Sequence, residues 1–184
     1  QNPGGTRASL LDKDITYKQA AQVLPFANTL TTTKITSAQF KKVLEQQWQR
    51  AGTGEVPSRP YLQLGVSSNV TYTYDESRKE GDRITSVWVN GKPIDPKGTY
   101  TVGSGSFLIA GGDNFTELAK GSKPVDSGKI DLSVWVDWIK AHKTLKPDFA
   151  KRAVSLTTSL HEGMSKDTTF PLGKPADKAV APDT

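Results

Sequence analysis

Two threonine–glutamine pairs, Thr16 with Gln19 and Thr36 with Gln39, bracket a run of β-branched residues, and this arrangement restricts the fold more than any other stretch. A threonine whose hydroxyl can accept the third following backbone N–H, with a glutamine there able to return the bond, marks a helix start. Helices are therefore predicted from Tyr17 to Leu24, stopped by Pro25, and from just after Thr36. Between them "NTLTTTKI", residues 28 to 35, reads as a strand. Helix, strand and helix in quick succession point to a mixed α/β domain.

The second helix carries Phe40, Val43, Leu44 and Trp48 as one apolar stripe and is predicted to end near Arg50. "AGTGEVPSRP", residues 51 to 60, is a loop by its turn formers. "YLQLGV" and "NVTYTYD" read as strands, the second alternating Val70, Tyr72 and Tyr74 onto one face. Asn90-Gly91 between β-rich pieces signals a hairpin, and "TYTVGSG" from 99 to 105 is a further strand. Leu132, Trp135, Val136 and Ile139 space a helix from about Ile130 to Lys143, with Asp131 near its positive end. From Thr157 onward Pro, Ala, Lys, Asp and Thr dominate. The predicted organisation is one domain over residues 1–156 and a flexible tail or linker over 157–184.

Several chemistries are poorly represented. Cysteine is absent, which removes disulfides, thiolate metal sites and thiol nucleophiles. The 24 basic and 19 acidic residues give a net +5 without forming a block, so a nucleic-acid polymer is not the expected partner. No run approaches the ~18 apolar residues of a membrane span. His142 and His161 are the only histidines and stand in no metal-ligand spacing; they read as a helix-surface and a tail residue. No G-x-S-x-G elbow is present. Because Gln1 opens the chain without a methionine, the sequence is expected to be processed or excised from something longer.

Binding features are better represented. In "NPGGTR", Gly4 and Gly5 let backbone N–H groups approach a ligand, and the planar fork of Arg7 suits a phosphate, although by itself the motif reads first as a glycine turn near a terminus. Phe26 follows a helix end and fits either a core or a stacking role. In "FLIAGGDNF", Phe107 and Asp113 flank Gly111-Gly112, which makes either a strand-to-helix turn or a ligand loop. Taken together these residues offer two aromatic faces for a base, a carboxylate for ribose hydroxyls and an arginine for phosphate. Phe115 is expected to anchor the loop in the core.

The ordered set "NPGGTR", "ITYKQAAQVLPFANTL", "TYTYDESRKEGDRITSVWVNGKPIDPKGTYTV" and "SFLIAGGDNF" resembles the C-terminal domain of the 5′-nucleotidase family over about residues 2 to 155. The resemblance implies a layered sheet-and-helix α/β fold and a two-domain enzyme. An N-terminal metallophosphoesterase domain of the same parent chain would carry two divalent metal ions, and this part, without cofactor or catalytic residues, would hold an AMP-like nucleotide or nucleoside. It places the motif asparagine on Asn2, the glycine on Gly5 and the phosphate-contacting arginine on Arg7. The stacking phenylalanines fall on Phe26 and Phe107, a base-contacting asparagine on Asn28 and the ribose-binding aspartate on Asp113. Pro3 and Thr6 depart from the glycine and isoleucine usual there, and Ser67-Ser68 replaces a Ser-Gly pair, so no base contact is assigned at that point. Family members are mostly exported or surface-bound, so a secreted, periplasmic or cell-surface setting is expected. The alternative is a module that binds nucleotides or forms a homodimer without catalysis.

Overall fold

Both threonine caps form. The computed structural model describes residues 1–10, 14–146 and 148–157. Helix α1 (Tyr17–Val23) is closed by Thr16, whose hydroxyl accepts from the Gln19 N–H while Gln19 Oε1 accepts from the Thr16 N–H at 2.8 Å. The same exchange between Thr36 and Gln39, at 2.9 Å, opens α2 (Ser37–Glu45). Strand β1 (Thr29–Thr36) joins them, burying Thr31, Thr33 and Ile35 on one face and exposing Thr32, Lys34 and Thr36 on the other.

Strand β1 is the centre of a three-stranded antiparallel sheet, flanked by β5 (Thr99–Gly105) and β6 (Ser122–Ile130). The second sheet has the order β4-β3-β2-β7, from β2 (Val70–Tyr74), β3 (Ile84–Val89), β4 (Lys92–Pro93) and β7 (Ala153–Ser155), which pairs parallel to β2. Asn90 and Gly91 turn β3 into β4 with φ of 53° and 69°, the left-handed pair that a two-residue hairpin needs. Helix α2 touches β1 on one side and β3 on the other. The apolar core therefore lies between the sheets, with Leu44, Ile35, Tyr72 and Phe115 among its most buried members. Phe115, just ahead of the short helix α4 (Thr116–Ala119), is in the core as its position in the loop led us to expect. The chain thus has the mixed α/β architecture with layered sheets and helices.

Three expectations need correction. Helix α2 stops at Glu45, short of Arg50, because Gln47 and Gln49 leave the helix to pair with residues 60 to 62: the Gln49 N–H bonds Pro60 O at 2.8 Å and the Leu62 N–H bonds Gln47 O at 2.8 Å. Non-local pairing overrode a helical period that Trp48 continues by coincidence. "YLQLGV" is not a ladder strand; Tyr61 alone bridges Trp48, and the Leu64 N–H is taken by the Gln47 side chain. The alternation read for β2 is also incomplete, since Thr71 and Thr73 are buried alongside Tyr72 and Tyr74. Strand β2 lies between two neighbours, and the Thr73 hydroxyl is satisfied by the Thr85 and Ser86 hydroxyls, each at 2.6 Å. Strands β6 and β7 were not anticipated, because they carry no strong strand signal. Strand β6 contains Pro124, Asp126 and Gly128, tolerable because it is an edge strand exposed along nearly its whole length.

Helix α5 (Asp131–His142) forms where its apolar spacing predicts, yet buries no residue fully. It packs on α1 and β6 and leaves Trp138 46% exposed, stacked on His142 at 4.0 Å. His161 and the tail from residue 158 lie outside the described residues.

Candidate functional site

The short helix α3 (Ser106–Ile109) begins directly at the end of β5, so Phe107 is carried in its first turn. Its backbone N–H points to Asn28 Oδ1 at 3.4 Å. Its ring lies against the backbone of Gly112: a Cβ added there would come within 2.5 Å of the ring atoms, so only glycine allows this approach. Phe107 is nevertheless 49% exposed and Phe26 53%. Two half-bare phenylalanines contrast with Phe40 and Phe115, which the core absorbs.

Phe26 follows the Pro25 stop of α1, and the Arg7 guanidinium lies 5.8 Å from the centre of its ring. That distance suits a cation–π contact of the exposed kind, worth about 0.5–1 kcal/mol. Arg7 is anchored by its backbone, whose N–H bonds Val23 O at 3.0 Å, and its charged end remains exposed. Two residues after Phe26, Asn28 is spent on architecture. Its Nδ2 donates to Asp131 Oδ2 at 3.4 Å and its carbonyl accepts the Asp131 N–H at 2.8 Å, tying β1 to the start of α5.

The chain start closes the arrangement. Gln1 and Gly65 exchange backbone bonds of 2.9 and 2.8 Å, and a 3₁₀ turn over Pro3–Gly5 follows. Gly5 is buried where a Cβ would fall 2.0 Å from Gln1 Nε2 and 2.6 Å from Asn2 Oδ1. Asn2, only 7% exposed, donates from Nδ2 to Asp113 Oδ2 at 2.6 Å. Asp113 and Asn114 both have left-handed backbone, with φ of 52° and 62°. Such backbone costs a residue with a side chain roughly 1–2 kcal/mol, and Asp and Asn tolerate it best.

The structure links the sequence-predicted site residues in pairs: Arg7 with Phe26, Asn28 with Phe107 and Asn2 with Asp113, while Gly5 packs on Asn2. Among them are a cation, two exposed aromatic rings and a carboxylate, groups suited to stacking a flat ring and bonding hydroxyls beside an anion. Among the described residues no group of three or more His, Cys, Asp or Glu is placed to hold a metal.

One residue bearing on the site escaped the sequence reading. Gln49, 3% exposed, donates from Nε2 to Asp113 O at 3.0 Å and accepts from Asn114 Nδ2 at 3.1 Å. Its only signal was the pair Gln47 and Gln49 flanking Trp48 with a period of two in a segment that otherwise looked helical.

Compared with known proteins, residues 1–120 match the family model described as "5'-nucleotidase, C-terminal domain". A 5'-nucleotidase-related protein of Glossina morsitans morsitans is 35% identical over 152 residues, covering 78% of this chain and 26% of that protein. Protein UshA of Yersinia enterocolitica is 32% identical over 142 residues, covering 77% of this chain and 24% of its own length. The crystal structure of a 5'-nucleotidase precursor from Thermus thermophilus superposes with a TM-score of 0.71 at 30% identity, over 84% of this chain and 30% of that one. The chain spans about a quarter of the length of these two curated relatives.

Proposed function

The chain belongs to the 5′-nucleotidase C-terminal domain family, and from that premise we propose that residues 1–156 form the substrate-binding domain of a secreted or cell-surface nucleotide hydrolase. The observation that carries the reading is the pair of half-exposed phenylalanines, each held by a specific neighbour rather than loose at the surface: Phe107 by Gly112 and Phe26 by Arg7. A base stacks on these rings, Asp113 accepts from ribose hydroxyls through the oxygen that Asn2 leaves free, and Arg7 takes the phosphate charge. Asn28, with its amide given to Phe107 and Asp131, sets the height of the aromatic shelf while its remaining N–H faces a base edge.

The phosphate ester is cut elsewhere in the parent protein, by a dimetal phosphoesterase domain. The described residues do not fit a metal pair, and none of them is assigned a hydrolytic step. Residues 157–184 extend beyond this binding unit. No described helix is long and apolar enough to cross a membrane.

Titrating adenosine into the chain and its Phe107→Ala variant tests the reading. Loss of one stacking face is expected to weaken binding by roughly 1–3 kcal/mol; equal affinity removes Phe107 from the pocket. The chain alone is expected to release no phosphate from AMP with magnesium, manganese or zinc added, and turnover would overturn that assignment. Helix α5, with Trp138 uncovered, favours a second reading in which this domain also pairs with its own copy. Sedimentation of wild type and Trp138→Ala decides it: a dimer that the substitution dissolves supports the pairing.

A further inference from the structure

Resting on the nucleoside-binding reading above, we propose that Gln49 is a positioning residue for ribose recognition, clamping the Asp113-Asn114 pair in left-handed backbone so that the Asp113 carboxylate faces the sugar. Three observations meet at this amide. Its Nε2 donates to Asp113 O at 3.0 Å and to Gln46 O at 2.8 Å, and its Oε1 accepts Asn114 Nδ2 at 3.1 Å. Gln49 is itself buried and fixed through its backbone, the N–H of which bonds Pro60 O at 2.8 Å. An amide so saturated has one orientation, because reversing it would set its oxygen against two carbonyls and its NH₂ against the NH₂ of Asn114.

The clamp acts on backbone that would otherwise relax. Asp113 and Asn114 sit consecutively at positive φ without a glycine, and Asn114 Nδ2 also reaches Arg50 O at 3.3 Å. The Asp113 side chain is then held at one oxygen only, Oδ2, by Asn2 at 2.6 Å. Among the described residues no hydrogen-bond donor reaches Oδ1. A carboxylate fixed at its backbone and at one oxygen presents the other in a set direction, which lets it tell a ribose 2′,3′-diol from a sugar that lacks it.

The test uses the 184-residue chain, with adenosine and 2′,3′-dideoxyadenosine titrated separately and followed by NMR. Wild type is expected to prefer adenosine by about tenfold or more, the scale of a hydrogen bond to a charged group. Gln49→Met, similar in length and unable to form these bonds, is expected to lose most of that preference while its dideoxyadenosine affinity stays unchanged. Asn114→Ala, at an exposed position, is expected to shift the ratio in the same direction without a buried substitution. If wild type discriminates and both variants keep its ratio, Gln49 has no positioning role although the nucleoside site stands. If Gln49→Met weakens both ligands equally, its effect is on the fold alone and the proposal also falls. If wild type binds neither nucleoside, the underlying reading itself fails.

Discussion

Phe107 and Gly112 are in such close contact that the smallest side chain added at Gly112 must displace the ring. The ring is half-exposed and free to swing outward, so Gly112→Ala is expected to leave the melting temperature nearly unchanged. It should still cost nucleoside affinity on the scale of a stacking face, roughly 1–3 kcal/mol. Calorimetric titration beside a thermal melt separates the two effects; a lower melting temperature with intact affinity would contradict them. Phe107, Gly112 and Asp113 were legible in the sequence because one nine-residue motif carries all three. Gln49 was not, because its partners Asp113 and Asn114 lie more than sixty residues away and nothing local distinguishes a clamping glutamine from one on a helix surface.

Among the elements, Gln47 joins three that share no neighbouring sequence. Fully buried, it donates to Leu44 O at the end of α2 and accepts both the Leu64 N–H at 2.8 Å and the Tyr72 hydroxyl at 2.9 Å. Burial pushes the Tyr72 hydroxyl up to about 12, so it remains a protonated donor through the physiological range. Gln47→Leu fills similar space but strands two buried donors. A loss of about 2–4 kcal/mol of stability is expected in urea denaturation, and a midpoint equal to wild type would mean water satisfies them.

Asp75, just past β2, accepts from the Ser77 hydroxyl at 2.6 Å, the Ser77 N–H at 2.9 Å and the Thr157 hydroxyl at 2.9 Å. Ser77 above all holds its carboxyl below the ordinary value. A carboxyl depressed in the folded state stabilises above its unfolded value, about 3.9, and that contribution is lost as pH falls through the folded value. Melts at pH 6 should therefore find Asp75→Asn less stable than wild type, with the gap closing toward pH 3. A gap constant with pH would assign the effect to packing. Elements were legible where the determinants are local, as at the two capping boxes and Asn90-Gly91. Strands β6 and β7 and the 47–49 pairing were not, since their stability comes from partners distant in the chain.

At the level of the whole molecule, residues 1–7 contribute to no strand and to no part of the core cluster, and meet the body through Gly65, Val23, Phe26 and Asp113. Deleting that segment is expected to leave a cooperative melt and abolish measurable adenosine binding; retained affinity would place the ligand elsewhere. The bond from Asn2 to Asp113 spans 111 positions and that from Asn28 to Phe107 spans 79, whereas β2 and β3 are joined by a short connection. Chain closure over such separations is slow relative to hairpin formation. During refolding the β2-β3-β4 part of the second sheet can therefore assemble well before any nucleoside affinity exists, whereas β7 joins it only by a closure as long as those of the site, so ligand capture is a clock for the later steps of folding rather than the first.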